Sequence, residues 1–142
     1  MATSKATAVW NGNLPQGTGQ ITAGTGAFTL PYSLKSRTGE EPKSNPEELI
    51  GGAHAGCFSM MVAALCTQAS VVPTQIKTTA SVTFGSVDGG FAISAIVLEC
   101  EATIPGLDEA AFQELAQNAK VSCPVSKALT GVPITLAARL VS

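Results

Sequence analysis

From Leu49 to Cys66 the chain runs for eighteen residues without a charged side chain. That length is at the lower edge of a membrane span. The stretch holds Gly51, Gly52, His54, Gly56 and Ser59 and has no basic flank, which favours a helix in a soluble core. Just ahead of it, Asn45-Pro46-Glu47-Glu48 is the clearest helix start in the sequence. Asparagine suits the N-cap, proline the first helical position, and Glu48, three after the cap, can close a capping box. The helix is expected to reach about Ser70. Leu49, Ile50, Ala53, Phe58, Met60, Met61, Val62 and Leu65 lie all around it, so protein is expected on every side. Gly52 and Gly56, four apart on one face, would let another backbone come close. That backbone is either a second copy of the helix or a strand of the same chain.

The segments around this helix set the fold class. Ala6–Trp10, Gly19–Ala23 and Ala27–Leu34 are short β-prone runs separated by Asn11-Gly12-Asn13, Gly17 and Gly24. Ser36 to Ser44 is polar, holds Gly39 and Pro42, and reads as a loop. Beyond the helix, Ile76–Phe84 and Phe91–Ile104 read as an antiparallel pair with a glycine-rich turn, residues 85–90. A second helix is expected from about Asp108 to Lys120, with Phe112, Leu115, Ala116 and Ala119 at helical spacing. Cys123-Pro124 opens a short third helix that Gly131 stops, and Ile134–Val141 is a last strand. The order βββ-α-ββ-αα-β gives an α+β fold in one domain, residues 1–142.

Hydrophobic residues make up 45% of the chain and charged ones 13%, so much of the surface is expected to pack against something. A second copy of the chain is the simplest partner. A net charge of −2 gives no footprint for nucleic acid or an anionic membrane. The first residues lack the apolar core of a signal peptide, and the expected location is the cytoplasm. In that compartment four cysteines argue against a disulfide scaffold. There is no CxxC, and a zinc site would need scattered cysteines, since the chain has a single histidine. Inert buried thiols or redox chemistry remain.

Cys57 lies mid-helix, about three turns from the cap, where the helix dipole has faded. To be a thiolate at neutral pH it needs a cation from elsewhere. Arg37, beyond the third strand, is the best candidate, and a solvated loop arginine is the alternative. Cys123 stands at a helix start, which favours a thiolate. Glu47 is ten residues before Cys57, roughly 15 Å along a helix axis. It can act only through Arg37 or from another subunit. His54, one turn before Cys57, permits either a Cys–His dyad or a satisfied packing residue. Cys66, nine after Cys57, points to the opposite side, and Cys66 and Cys100 read as packing. Phe58, Met60 and Met61, with Trp10 as a possible addition, read mostly as core, with some lining an apolar pocket.

The run Asn45-Pro46-Glu47-Glu48-Leu49-Ile50-Gly51-Gly52-Ala53-His54-Ala55-Gly56-Cys57-Phe58-Ser59-Met60 resembles the signature helix of the osmotically inducible protein C (OsmC) family. Cys123-Pro124-Val125-Ser126 is similar to that family's second cysteine motif. Pro31-Tyr32, with Arg37 six residues beyond the proline, and Trp10-Asn11-Gly12 also fit. Gly56 stands where alanine is usual, and Cys66 and Cys100 are extra. The resemblance implies an intertwined homodimer, antiparallel sheets wrapped around two central buried helices, with sites near the subunit interface. It implies a metal-free, cofactor-free peroxidase for organic hydroperoxides and, less well, hydrogen peroxide. Cys57 would attack, Cys123 resolve, Arg37 activate and Glu47 hold the arginine, with an external dithiol, of lipoyl type, as reductant. The branch implied is OsmC proper, not the organic hydroperoxide resistance branch, because the arginine follows a strand close to the helix. Two rivals are a thiol redox sensor and a binding module for a hydrophobic ligand whose cysteines only pack. Retention of the peroxidase rate in Cys57→Ser would exclude catalysis by that thiol.

Overall fold

The expected strands and helices are all present in the computed structural model, which describes residues 1–141. The chain divides into two compact units, Met1–Leu49 and the part from Ile50 onward.

In the first unit, β1 (Ala6–Asn11), β2 (Thr18–Ala23) and β3 (Thr29–Tyr32) form an antiparallel sheet in that order. Gly19 sits opposite both Trp10 and Tyr32, whose ring centroids are 5.4 Å apart. A Cβ at Gly19 would collide with the Tyr32 ring and the Val9 carbonyl oxygen, so the position requires glycine. The third strand ends earlier than expected, at Tyr32. Ser33 turns the chain into a one-turn helix, α1 (Leu34–Arg37). Its hydroxyl accepts from the Ser36 amide at 3.1 Å, and the Ser36 hydroxyl accepts from the Ser33 amide at 3.0 Å. This is a capping box built from two serines. Arg37 therefore ends a helical turn and does not sit in open loop.

The long helix, α2 (Pro46–Gln68), begins where expected. Asn45 Oδ1 accepts from the Glu48 amide at 2.8 Å. The Asn45 side-chain amide also donates to the Ser36 carbonyl at 3.2 Å, tying the helix start to α1.

In the second unit, β4 (Gln75–Val87) and β5 (Gly90–Thr103) form a long antiparallel hairpin. Its turn is only Asp88-Gly89, both at positive φ, so both strands run further than expected. An Asp-Gly pair supplies the left-handed backbone that matches strand twist in a two-residue turn. Next come α3 (Glu109–Ser122), α4 (Pro124–Ala128) and β6 (Ile134–Leu140). β6 lies parallel to β5, so this sheet, ordered β4-β5-β6, is mixed.

Phe58, Val62 and Cys66 on α2 pack with Leu98, Cys100 and Ala102 of β5 and with Phe112, Leu115, Ala116 and Ala119 of α3. Burying a side chain such as Phe58 or Leu98 stabilises the fold by roughly 1.5–3 kcal/mol. The spacing on α2 is i, i+4, i+8, a single stripe. Within one chain α2 is thus not enclosed on every side. Gly52, Ala53, Gly56, Met60 and Ala64 on the other side are exposed. A Cβ at Gly52 or Gly56 would meet nothing within 4 Å among the described residues. The glycine pressed against a strand is Gly51, where a Cβ would come within 2.9 Å of the Ala80 carbonyl oxygen. The helix is long and apolar enough to cross a membrane by length and composition. Its Phe58–Val62–Cys66 stripe, however, is already packed against the second unit's own sheet and α3.

Candidate active site

Cys57 and Cys123 come together in the second unit, their thiols within hydrogen-bonding reach of each other. Cys57 is partly exposed, and Cys123 is fully buried. Cys123 is both the C-cap of α3 and the N-cap of α4, with Pro124 at the first helical position. That placement sets the Val125 and Ser126 amides near the Cys57–Cys123 pair, although the Cys123 side chain accepts no capping hydrogen bond.

The two sulfurs are electrostatically unlike. Burial pushes the Cys57 thiol up; the Val125 amide opposes this, and the neighbouring Cys123 sulfur raises it further. Burial also works against ionising Cys123. There the Ser126 amide, the Cys57 thiol, the Ser126 hydroxyl and the Val125 amide outweigh it, and Cys123 falls below the ordinary thiol range. Within one chain, Cys123 is thus the more readily ionised of the two. A cation is therefore required for Cys57 to become the thiolate, as its mid-helix position implies. Access distinguishes the two sulfurs the other way, because a bulky substrate can approach only the partly exposed Cys57.

Arg37 and Glu47, in the first unit, form a bidentate ion pair. Arg37 Nε donates to both carboxylate oxygens, at 2.9 and 3.2 Å, and Nη2 to Oε1 at 2.6 Å. Glu47 is held with 8% of its side chain exposed and Arg37 with 36%. The acid paired with Arg37 thus comes from its own chain.

His54 is fully buried, yet it forms no dyad with Cys57. Its Nε2 lies 2.7 Å from the Ser126 hydroxyl, and its Nδ1 is buried with no partner among the described residues. The packing alternative is therefore only half satisfied. Ser126, 5% exposed, is the residue to which sequence reasoning assigned no role. Its signal was the three-residue spacing from Cys123, which is N-cap to N3 of a helix. Cys66 and Cys100 lie in the apolar core, and burial raises both thiols. Phe58 is core as expected and Met61 packs against it, whereas Met60 is 76% exposed.

The family model described as "OsmC-like protein" matches residues 38–137. The chain belongs to the OsmC family. Peroxiredoxin OsmC of Escherichia coli (strain K12) is 43% identical over 126 residues, covering 88% of each chain. The organic hydroperoxide resistance protein of Xanthomonas axonopodis pv. citri (strain 306) is 36% identical over 98 residues, 66% of this chain and 67% of that one. Among solved structures, the organic hydroperoxide resistance protein OhrB of Bacillus subtilis superposes with a TM-score of 0.73 at 26% identity, covering 97% of this chain and 98% of that one. In this OsmC-family chain both cysteine motifs fall inside the matched region, as does Glu47. Arg37 lies one residue before it.

Proposed function

We infer that this OsmC-family chain is a thiol-dependent peroxidase that reduces organic hydroperoxides, and hydrogen peroxide less well, in stress defence. The observation that carries the reading is the Cys57–Cys123 pair, a partly exposed sulfur in hydrogen-bonding reach of a buried one at the start of α4. The names of the relatives agree with it. The chemistry needs no group beyond these side chains and an external dithiol.

Arg37, its guanidinium fixed by Glu47, supplies the cation that Cys57 requires and hydrogen-bonds the peroxide oxygens. The Cys57 thiolate attacks the distal oxygen. The O–O bond breaks, Cys57 keeps the hydroxyl as a sulfenic acid, and the alkoxide leaves as alcohol after taking a proton. The Cys123 thiolate then attacks the Cys57 sulfur. An S–S bond forms, hydroxide departs and is protonated to water. A dithiol of lipoyl type reopens the disulfide by two exchanges and is itself oxidised.

The assembly is a homodimer, for which the exposed Gly52-Ala53-Gly56-Met60-Ala64 stripe on an apolar helix is the support. The working compartment is the cytoplasm, where the cysteines stay reduced between turnovers. The test is consumption of an alkyl hydroperoxide by the purified protein with a dithiol. Cys57→Ser is expected to abolish turnover, and Cys123→Ser to leave a sulfenic acid that dimedone traps. A wild-type rate in Cys57→Ser would overturn the reading.

A further inference from the structure

The single histidine of the chain, His54, is buried on α2 with only one ring nitrogen partnered among the described residues. That partner is the hydroxyl of Ser126, 2.7 Å from Nε2 and itself buried. Ser126 stands three residues after Cys123, the N-cap of α4, and its hydroxyl favours the ionised form of that buried sulfur. A serine hydroxyl has one proton to donate, so the histidine tautomer decides where that proton goes. With the proton on Nδ1, Nε2 would have to accept from Ser126, whose hydroxyl could then give nothing to Cys123. That tautomer would also bury an orphaned N–H, which folded proteins strongly avoid. With the proton on Nε2, the ring donates to Ser126, Ser126 donates to the sulfur, and only a lone pair at Nδ1 is left unpaired. Burial also lowers the pKa of His54, which keeps the ring neutral.

We propose that His54 and Ser126 are positioning residues for the resolving step, a directed chain His54 Nε2–H to Ser126 Oγ–H to Cys123 Sγ that stabilises the Cys123 thiolate when it forms. The inference rests on the peroxidase reading above. The chain acts twice. After Cys57 has become a sulfenic acid, Cys123 is ready to attack it. When the dithiol reopens the disulfide, it attacks the accessible Cys57 sulfur, and Cys123 is the sulfur expelled, because a stabilised thiolate leaves faster.

Two measurements test this. In wild-type protein labelled with 15N-histidine, the lone imidazole is expected to show a protonated Nε2 and a bare Nδ1. A protonated Nδ1 would overturn the chain, whatever the enzymology. In single-turnover quenched flow, Cys57 oxidation and disulfide closure are read as separate phases by dimedone trapping and mass spectrometry. His54→Leu and Ser126→Ala are expected to slow closure by roughly tenfold or more, the scale of one lost hydrogen bond to a charged group. Cys57 oxidation should not slow, since a weaker Cys123 thiolate opposes Cys57 ionisation less. His54→Gln, whose amide can donate from near the Nε2 position, is expected to restore most of the closure rate. Unchanged closure in His54→Leu and Ser126→Ala, or an equal fall in both phases, contradicts the proposal. Failure of the peroxidase reading looks different, because wild-type protein would then show no sulfenic phase at all.

Discussion

Removing either partner of the Arg37–Glu47 pair should have unequal effects on stability, and the exposures set the order. Glu47 keeps only 8% of its side chain exposed, whereas Arg37 keeps 36%. Arg37→Met deletes three charge-assisted contacts and strands a carboxylate with little access to water. The full cost of breaking a buried pair is about 3–5 kcal/mol. Arg37 is more than a third exposed and its charge is partly screened, which brings the expected loss to about 2–3 kcal/mol. Glu47→Gln keeps one acceptor oxygen and leaves a guanidinium that already meets solvent, so about 1 kcal/mol is expected. Urea denaturation of each purified variant measures both. Activity should follow a different rule, because both changes remove one device. Each single variant is expected to lower kcat/KM for an alkyl hydroperoxide by roughly tenfold or more, equivalent to about 1.4 kcal/mol of barrier. The double variant should be little worse than Arg37→Met alone. Equal destabilisation by the two single changes, or fully multiplicative losses in the double variant, would refute this account.

Other outcomes follow from packing and titration. Gly51→Ala presses a Cβ to 2.9 Å from the Ala80 carbonyl oxygen and should destabilise by about 1–3 kcal/mol in urea melts. Gly52→Ala meets nothing within 4 Å among the described residues, so any loss it causes should appear in sedimentation as a weakened dimer. Cys66 and Cys100, buried with raised thiols, should resist iodoacetamide at neutral pH in the native protein, as peptide mass mapping would report. Followed by thiolate absorbance, the Cys57–Cys123 pair should lose its protons in two separated steps. Cys123 lies below the ordinary thiol range and Cys57 above it within one chain. The first step should therefore fall at lower pH than that of a free cysteine, and Arg37→Met should move Cys57 ionisation to higher pH.

The features legible in the sequence were those fixed by local rules. Asn45-Pro46 marked the start of α2 because capping is decided within four residues, and the Asn45 bond to the Glu48 amide is the one formed. The spacing of Phe112, Leu115, Ala116 and Ala119 marked the buried face of α3. The Asp88-Gly89 turn was also local, but the surrounding glycines Gly85 and Gly90 obscured it, and they sit in the strands. The serine capping box that ends β3 carries no acidic residue at its third position, and this hid α1. Nonlocal facts were beyond reach. Composition cannot separate Gly51, packed on a carbonyl, from Gly52, facing open space. Nor could it show that His54 reaches across seventy-two residues to Ser126. The thiol pair was named through a family resemblance, because Cys57 and Cys123 share no local pattern. Their adjacency appears only once α2 and the α3–α4 junction are in place.

The claim on which the rest depends is that Cys57 and Cys123 form one redox unit while the other two cysteines only pack. A peptide mass map after one equivalent of an organic hydroperoxide tests it most directly. The account predicts a Cys57–Cys123 disulfide with Cys66 and Cys100 recovered as free thiols. A link that includes Cys66 or Cys100, or four free thiols after the hydroperoxide has been consumed, would contradict it.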